Sequence, residues 1–563
     1  MKIITILQIL SLICVITARL GEPIKAETTE ILASIALEKD GKWVISEGKF
    51  DPKTFVASAN YTKGLESLGW DLLAISTNKN FEDEVQAEAA GRLEGYLTKT
   101  RIWNHWANLN AKANWPNSTF MPENLQNFFK AQEAYVDELY AANKTDGVAA
   151  NAYFILRQFR GMIDSYNLNM PVAQQISPVE FHTMASFGDL LDITYYNNTK
   201  GVPRFFEMTS QKIQDYFLVN SHCSALFKAK EDFSDIFFGH NSWFYYSAMT
   251  RIFKEYNFNF NHASVKSRNI LFSSYPATLS SMDDFYVTSQ DLVVIETTNA
   301  FFNEDLYSKL TPRSLLCWQR AMIANRISVT SREWTENFAK ENSGTYNNMF
   351  MALDMKKVDT VNKVIEQGAL HIIEQLPGFV EINDVTQYLR YGYWPSYNTP
   401  FSQKVKELSK IDEIIQNKPE LSHSFDYHTC ARANIFRRDQ GKVHSIDDFK
   451  KLIRYNDYQN DPLSLGNPSF AVASRIDLLN KCMGAYDAKA SSVTLAKGRN
   501  KIINIVQGPT FDNLPAFNWK NSEKCKYDPR FGLPDVFEFH WFQYKNQFVD
   551  ELVYESEKLE FIE

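Results

Sequence analysis

The chain has 563 residues, 44% hydrophobic and 22% charged, with a net charge of −8 and no long basic or acidic block. The composition is that of an ordinary globular protein, and the length exceeds one usual core, so two lobes or one large enzyme domain with insertions are expected. It also speaks against nucleic acid as a partner, since phosphate binding calls for clustered Lys and Arg.

The first elements concern targeting. Lys2 followed by an apolar run to Ile16 reads as a secretory signal peptide, with 1–26 as the leader and cleavage near Ala18 or Ala26. No later stretch is apolar for long enough to cross a bilayer, so a secreted or lysosomal mature chain is expected. Four sequons, at Asn60, Asn117, Asn143 and Asn197, agree with that route and all precede Cys223. Of six cysteines, Cys14 falls in the leader. Five remain, and an odd number in an oxidising compartment leaves one thiol free or paired between chains. With Cys223 free, Cys317, Cys430, Cys482 and Cys525 could form two bridges, in any of three connectivities. No Cys-x-x-Cys pair, His-Glu-x-x-His or phosphate-cradling Gly-rich loop is present, so neither metal nor cofactor is expected.

Next come a hairpin, Ala33–Leu37 and Trp43–Ile45 around an Asp40-Gly41 turn, and a strand over 70–75. Helices follow: one from Pro122 towards Tyr140 with Leu125, Phe128, Phe129 and Val136 on one face, one over 148–163, and one capped by Ser177-Pro178-Val179-Glu180. After Cys223 the period changes. Ser224–Phe227 and Asp235–Phe238 read as two strands joined by a polar turn, and Ile270–Phe272 with Leu292–Glu296 as another pair. Thr311-Pro312 is expected to open a helix towards Arg326, and Thr330 to cap the next. Residues 349–355 and 371–374 return to strand. His423 and His428 are placed in a loop with their rings in solvent.

The chemistry centres on Cys223. A thiol ordinarily titrates near 8.5 and needs a base. If the His222–Cys223 bond is cut, the freed α-amino group, with an ordinary pKa of about 7.7–8.0, lies on the same residue as the sulfur. Gly239-His240-Asn241-Ser242-Trp243 lies one hairpin away, so a strand out and a strand back brings His240 beside the nucleophile and lets Trp243 wall an acyl site. Asn299, ending the strand after Glu296-Thr297-Thr298, could donate to an oxyanion. Asn347 and Asn348 form a second amide cluster.

These stretches resemble the phospholipase B-like family: His222 to Leu226, Gly239 to Trp243 with Tyr246 to Met249, Thr297-Thr298-Asn299, Gly344 to Asn348, Tyr393 to Asn398, Arg432 to Phe436, Arg454 to Tyr458, Gly508-Pro509-Thr510 and Pro515 to Trp519. The resemblance implies an α+β fold, a four-layer αββα N-terminal-nucleophile hydrolase sandwich with a mostly helical N-terminal segment. It implies a precursor cut between His222 and Cys223 into 27–222, a hairpin plus helices, and 223–563, which carries the catalytic core; the two pieces would stay associated. Catalytic roles carry over to Cys223, His240 and Asn299. Substrate contacts carry over to Trp243, Thr298, Asn347, Asn348 and Arg432. Phe227 departs from the more usual aliphatic residue. The activity implied is deacylation of glycerophospholipids at a membrane or micelle surface. An amidase acting on N-acyl lipids and a lipid-binding glycoprotein without turnover are the alternatives.

Overall fold

The computed structural model describes residues 28–48, 54–113, 122–198, 201–220, 223–479 and 481–548. The leader over 1–26, the Asn117 sequon and His222 lie outside the described residues.

The hairpin forms as expected. β1 (Thr29–Leu37) and β2 (Trp43–Glu47) pair with Leu37 opposite Trp43, and Gly41 takes the φ of +84° that their turn requires. β3 (Ala57–Lys63) and β4 (Asp71–Thr77) follow. The upstream segment then turns helical: α1 (Asp83–Leu97), α2 (Lys99–Ala113), α3 (Glu123–Ala142), α4 (Gly147–Leu168), α5 (Pro178–Ala185), α6 (Phe187–Ile193) and α7 (Ser210–Asn220). Asp146 caps α4 by accepting from the Ala149 N–H, and both bonds of the Ser177/Glu180 capping box are made.

Past Cys223 the strands are β5 (Ser224–Ala229), β6 (Ile236–Asn241), β7 (Ile252–Asn257), β8 (Asn269–Ser274), β9 (Phe285–Thr288) and β10 (Leu292–Thr298). After α8 (Cys317–Ile327) and α9 (Ser331–Phe338) come β11 (Asn348–Asp354), β12 (Leu370–Leu376), β13 (Phe379–Asp384) and β14 (Tyr393–Ser396). Then follow α10 (Ala431–Asp439), α11 (Ile446–Ile453), β15 (Asp487–Ser492), β16 (Ile502–Gln507) and β17 (Phe542–Lys545). One sheet has eleven strands in the order β13-β12-β11-β10-β9-β8-β7-β4-β3-β1-β2, and a second has six in the order β14-β5-β6-β15-β16-β17. Within both sheets the described pairings are antiparallel except β4 with β7.

Period-two alternation builds the layers. Phe227, Phe238, Val293, Ile295, Met349 and Met351 meet between the two sheets. Val294, Phe350 and Ala352, one residue along, face a core shared with α1, α4 and α8. Leu226 and Phe237 face the opposite way, onto Ile435 and Phe436 of α10 and Phe449 of α11. The order is therefore helices, sheet, sheet, helices, as the resemblance implied. The segment upstream of Cys223 supplies four strands of the large sheet as well as its helical cover.

Several local expectations are corrected. β9 intervenes between β8 and β10, so Ile270–Phe272 and Leu292–Glu296 do not pair with each other. The helix expected from Thr311 starts only at Cys317, because Leu315 first bridges Asn342 and the Gln319 side chain then accepts from the Leu316 N–H to cap it. Pro122 stands ahead of α3 and not in its first turn. Of the two bridges thought possible, the described cysteines make one, Cys482–Cys525, while Cys317 and Cys430 are buried free thiols like Cys223. His423 is half-buried with its ring against Phe470 at 4.7 Å, whereas His428 is exposed.

Candidate active site

Cys223 stands immediately ahead of β5 with φ at +111°, a region that non-glycine residues rarely occupy. Its neighbours hold it there. The Arg432 guanidinium donates from Nη1 to the Cys223 carbonyl oxygen at 2.7 Å and to Asn398 Oδ1 at 2.8 Å. The Ser224 N–H donates to Asn241 Oδ1 at 3.2 Å. The same Arg432 group lies over the Trp243 ring at 4.6 Å, and the Trp243 indole N–H donates to Asn241 Oδ1 at 2.6 Å. Antiparallel pairing of β5 with β6 puts Ala225 opposite His240. As a result the Cys223 sulfur, a His240 ring nitrogen and a Glu296 carboxyl oxygen all lie within 4.8 Å of one another, and the thiol points at Glu296 Oε1 across 3.9 Å.

This trio is buried, Cys223 at 2% exposure and His240 at 0%. Burial pushes the thiol well above its ordinary range, and the neighbouring Glu296 acts in the same direction. Burial, with Lys489 nearby, holds His240 well below the usual imidazole value, so the ring is neutral. Burial and the Asp284 charge raise Glu296, which therefore keeps its proton; Tyr346 donates its hydroxyl to Glu296 Oε1 at 3.2 Å. The Glu296 backbone lies beside the His240 ring, but neither ring nitrogen makes a hydrogen bond of good geometry, and neither does Glu296 Oε2.

Beneath them lies an ionic network. Asp283 Oδ2 accepts from Arg251 at 2.7 Å, Lys489 at 2.6 Å and Ser242 at 3.0 Å, and Lys489 also donates to Asp487 at 2.9 Å. Burial works against the Asp283 carboxylate, but Arg251 and Lys489 hold its pKa well below the ordinary range. Lys489 sits opposite His240 in the β6–β15 register, so this cation is part of the site's floor.

Above the sulfur opens a cavity of 470 Å³, within the roughly 300–1,000 Å³ of small-molecule sites. Cys223, Trp243, Thr298, Asn299 and Asn347 line it, with Phe187, Phe244, Tyr275 and Phe301 supplying apolar wall. A second cavity of 380 Å³, lined by Arg432, lies beyond Trp243 and Phe217, which face both spaces.

The structure thus brings Cys223, His240, Trp243, Thr298, Asn299, Asn347 and Arg432 together. Asn348 is different: it pairs with Thr298 in the sheet and is buried outside the cavity lining, its amide oxygen and nitrogen unpartnered. Asn299 commits one amide hydrogen to Glu374 Oε1 at 3.1 Å. The Asn347 side chain donates to the Gly344 carbonyl at 2.9 Å. Glu296, Tyr346, Asp283 and Lys489 were absent from the predicted site. With no metal expected from the sequence, the Cys223/His240/Glu296 group was also missed as a possible metal-holding cluster. One signal pointed to Glu296, an acid directly following Val293-Val294-Ile295.

Of the sequons, Asn143 and Asn197 are exposed. Asn60 sits on an interior strand, opposite Leu32 and Ala74, and donates its amide to Glu30. Among the described residues, no helix is long and apolar enough to cross a membrane.

The family model described as Phospholipase B matches residues 57–544. "Phospholipase B-like protein B" of Dictyostelium discoideum is 39% identical over 523 residues, covering 90% of this chain and 88% of its own length. "Phospholipase B" of Crotalus adamanteus is 34% identical over 515 residues, covering 88% and 90%. "Phospholipase B-like 1" of Bos taurus is 35% identical over 497 residues, covering 86% and 87%. With the match running from β3 to β17 and across every residue of the trio, the chain belongs to the phospholipase B family.

Proposed function

We propose that this protein is an acyl hydrolase that deacylates glycerophospholipids, with Cys223 as an N-terminal nucleophile freed by cleavage of the His222–Cys223 bond. The observation carrying the reading is the strained, buried Cys223, whose sulfur faces an aromatic-walled cavity beside His240.

In the precursor the Cys223 sulfur attacks the carbonyl carbon of residue 222. The thiol proton passes to the departing amide nitrogen, a thioester forms, and water hydrolyses it to leave a free Cys223 amine. Arg432, bonded to the Cys223 carbonyl, fixes the residue during the shift. In the cut chain that amine takes the thiol proton, and the thiolate attacks the lipid ester. The second amide hydrogen of Asn299 stabilises the oxyanion, the ammonium returns its proton to the departing alcohol oxygen, and water, giving a proton to the freed amine, hydrolyses the thioester to release the fatty acid and restore the thiol. The names of the relatives support a phospholipid substrate, and the apolar wall supports an acyl chain.

The test is N-terminal sequencing and intact mass of purified wild-type and Cys223→Ala protein, with phospholipid turnover measured on both. Wild type is expected to yield a fragment starting at Cys223 and to release fatty acid; the variant should stay whole and silent. Full activity in an uncut wild-type chain would refute the proposal. Matched ester and amide lipids in the same assay decide the bond, and a strong amide preference would replace the phospholipase reading with an amidase.

A further inference from the structure

We infer that Cys223, His240 and Glu296 form a binding site for a zinc-like divalent cation, and that an ion held there keeps the nucleophile latent. The three side chains offer the sulfur, nitrogen and oxygen donors that zinc takes up. With zinc bonds of about 2.3 Å to sulfur and 2.0–2.2 Å to nitrogen or oxygen, tetrahedral donors lie roughly 3.4–3.6 Å apart. Here the three donor atoms lie within 4.8 Å, and sulfur and carboxyl oxygen are 3.9 Å apart. A contraction of roughly 1 Å closes the set, and side-chain rotation can supply it.

A second observation points to a ligand independently. His240 is fully buried with the Glu296 backbone beside it, yet neither ring nitrogen makes a hydrogen bond of good geometry, and neither does Glu296 Oε2. A buried polar atom left unsatisfied is costly, so these atoms together mark a site that gains by being filled. The cavity above Cys223 leaves room for water as the fourth ligand. Binding is balanced simply: the thiol proton and the Glu296 carboxyl proton leave to solvent, and the dication is neutralised by the thiolate and carboxylate that remain. Asp283 and Asp487 offset the nearby Lys489 and Arg251, so the ion meets no uncompensated positive charge. A sulfur bound to metal gives up part of its charge to the ion and is a weaker nucleophile, and the ion occupies space that a carbonyl carbon must approach. The metal therefore blocks attack, a consequence that rests on the proposed nucleophile, whereas binding itself does not.

The experiment is titration of the full-length protein with cobalt(II), read by the thiolate-to-cobalt charge-transfer band, and then displacement by zinc(II). One ion per chain is expected, with the band abolished in Cys223→Ala although Cys317 and Cys430 remain. His240→Gln and Glu296→Gln are each expected to weaken binding by at least about tenfold while retaining the wild-type melting temperature. No band in wild type, or a band that survives in Cys223→Ala, would overturn the site. Equal affinity in His240→Gln would reduce it to a thiol contact and overturn it too. Fatty-acid release is expected to fall when cobalt or zinc is added and to return when a chelator removes it, and turnover unchanged by saturating metal would overturn the latency; because the band does not depend on turnover, a protein that binds cobalt yet stays inactive after chelation would refute the hydrolase and keep the metal site.

Discussion

Replacing Asp192 with Asn should remove a defined part of the protein's pH response. Asp189 and Asp192 project from α6, upstream of Cys223, onto the loop that carries Tyr346. Asp192 Oδ2 accepts from the Tyr346 N–H at 2.8 Å, and Asp189 Oδ1 accepts from the Cys317 N–H at 3.0 Å. Burial raises Asp192 to about 7, against the pull of the Tyr346 and Tyr307 hydrogen bonds and with help from the Asp189 charge. Burial raises Asp189 to about 6, opposed by Thr345, the Cys317 N–H and Arg320. Tyr195 and Tyr216 also face Asp192, and Asp284 faces Asp189. Both folded values lie above the ordinary 3.8, so the folded state binds the protons more tightly. Their contribution is full below about pH 4 and is lost as pH rises through 6 and 7.

From pH 5 to pH 7.5 the Asp192 shift is worth about 2.5 kcal/mol and the Asp189 shift about 1.5 kcal/mol. The wild-type slope alone cannot isolate them. Burial beside Arg251 lowers buried His105 to about 3, which works in the opposite sense over the same range. The difference between proteins does isolate them. Urea unfolding of wild type and Asp192→Asn at pH 5 and pH 7.5 should show the variant losing about 2.5 kcal/mol of the wild-type preference for acid. Identical pH slopes in the two proteins would refute the protonated clamp.

Three further outcomes follow from the packing. Peptide mapping after deglycosylation should find sugar at Asn143 and Asn197 and none at Asn60, whose amide is tied to Glu30 within the sheet; occupancy at Asn60 would contradict the β3 register. Removing the Cys482–Cys525 bridge by a double Ser substitution should destabilise the protein by about 4 kcal/mol for its 43-residue separation, read as a lower urea midpoint. Gly91→Ala should lower the melting temperature, although Ala is the better helix former by about 1 kcal/mol, because its Cβ would strike the Gln158 carbonyl of α4.

What the sequence disclosed depended on how locally each feature is encoded. Cys223 and His240 lie one hairpin apart, so strand period and a polar turn sufficed to bring them together. β3 escaped because its alternation, Ala57-Ser58-Ala59-Asn60-Tyr61, is carried mostly by small residues with little strand preference; these fit where α1 packs close, and only tertiary context reveals that. Lys489 and Asp487 in β15 would be taken for a solvated strand, yet they are buried because Asp283 and Arg251, far away in the chain, meet them. Cysteine count suggested two bridges, but pairing is set by distance in the fold, and Cys317 and Cys430 lie in different cores. Tyr346 reaches Glu296 only because α6 pins its loop, a contact spanning more than 150 positions.

The electrostatics of the uncut site explain why a cleavage step would matter to it. A thiol whose pKa burial has raised needs a strong base, and the candidates at hand are weak ones. His240 is held neutral by burial and Lys489, so it accepts a proton reluctantly, and Glu296 already carries one. Strengthening His240 with a partner carboxylate would require another buried charge beside Asp283, which is already shared between Arg251 and Lys489. An amine created on Cys223 itself adds a base without adding a side chain to the packed floor, and its ordinary pKa of about 7.7–8.0 lies close to that of a thiol. Under the proposed cleavage, the network under the sulfur would keep one task before and after the cut, to hold His240 and Trp243 in register, and the new base would come from the backbone.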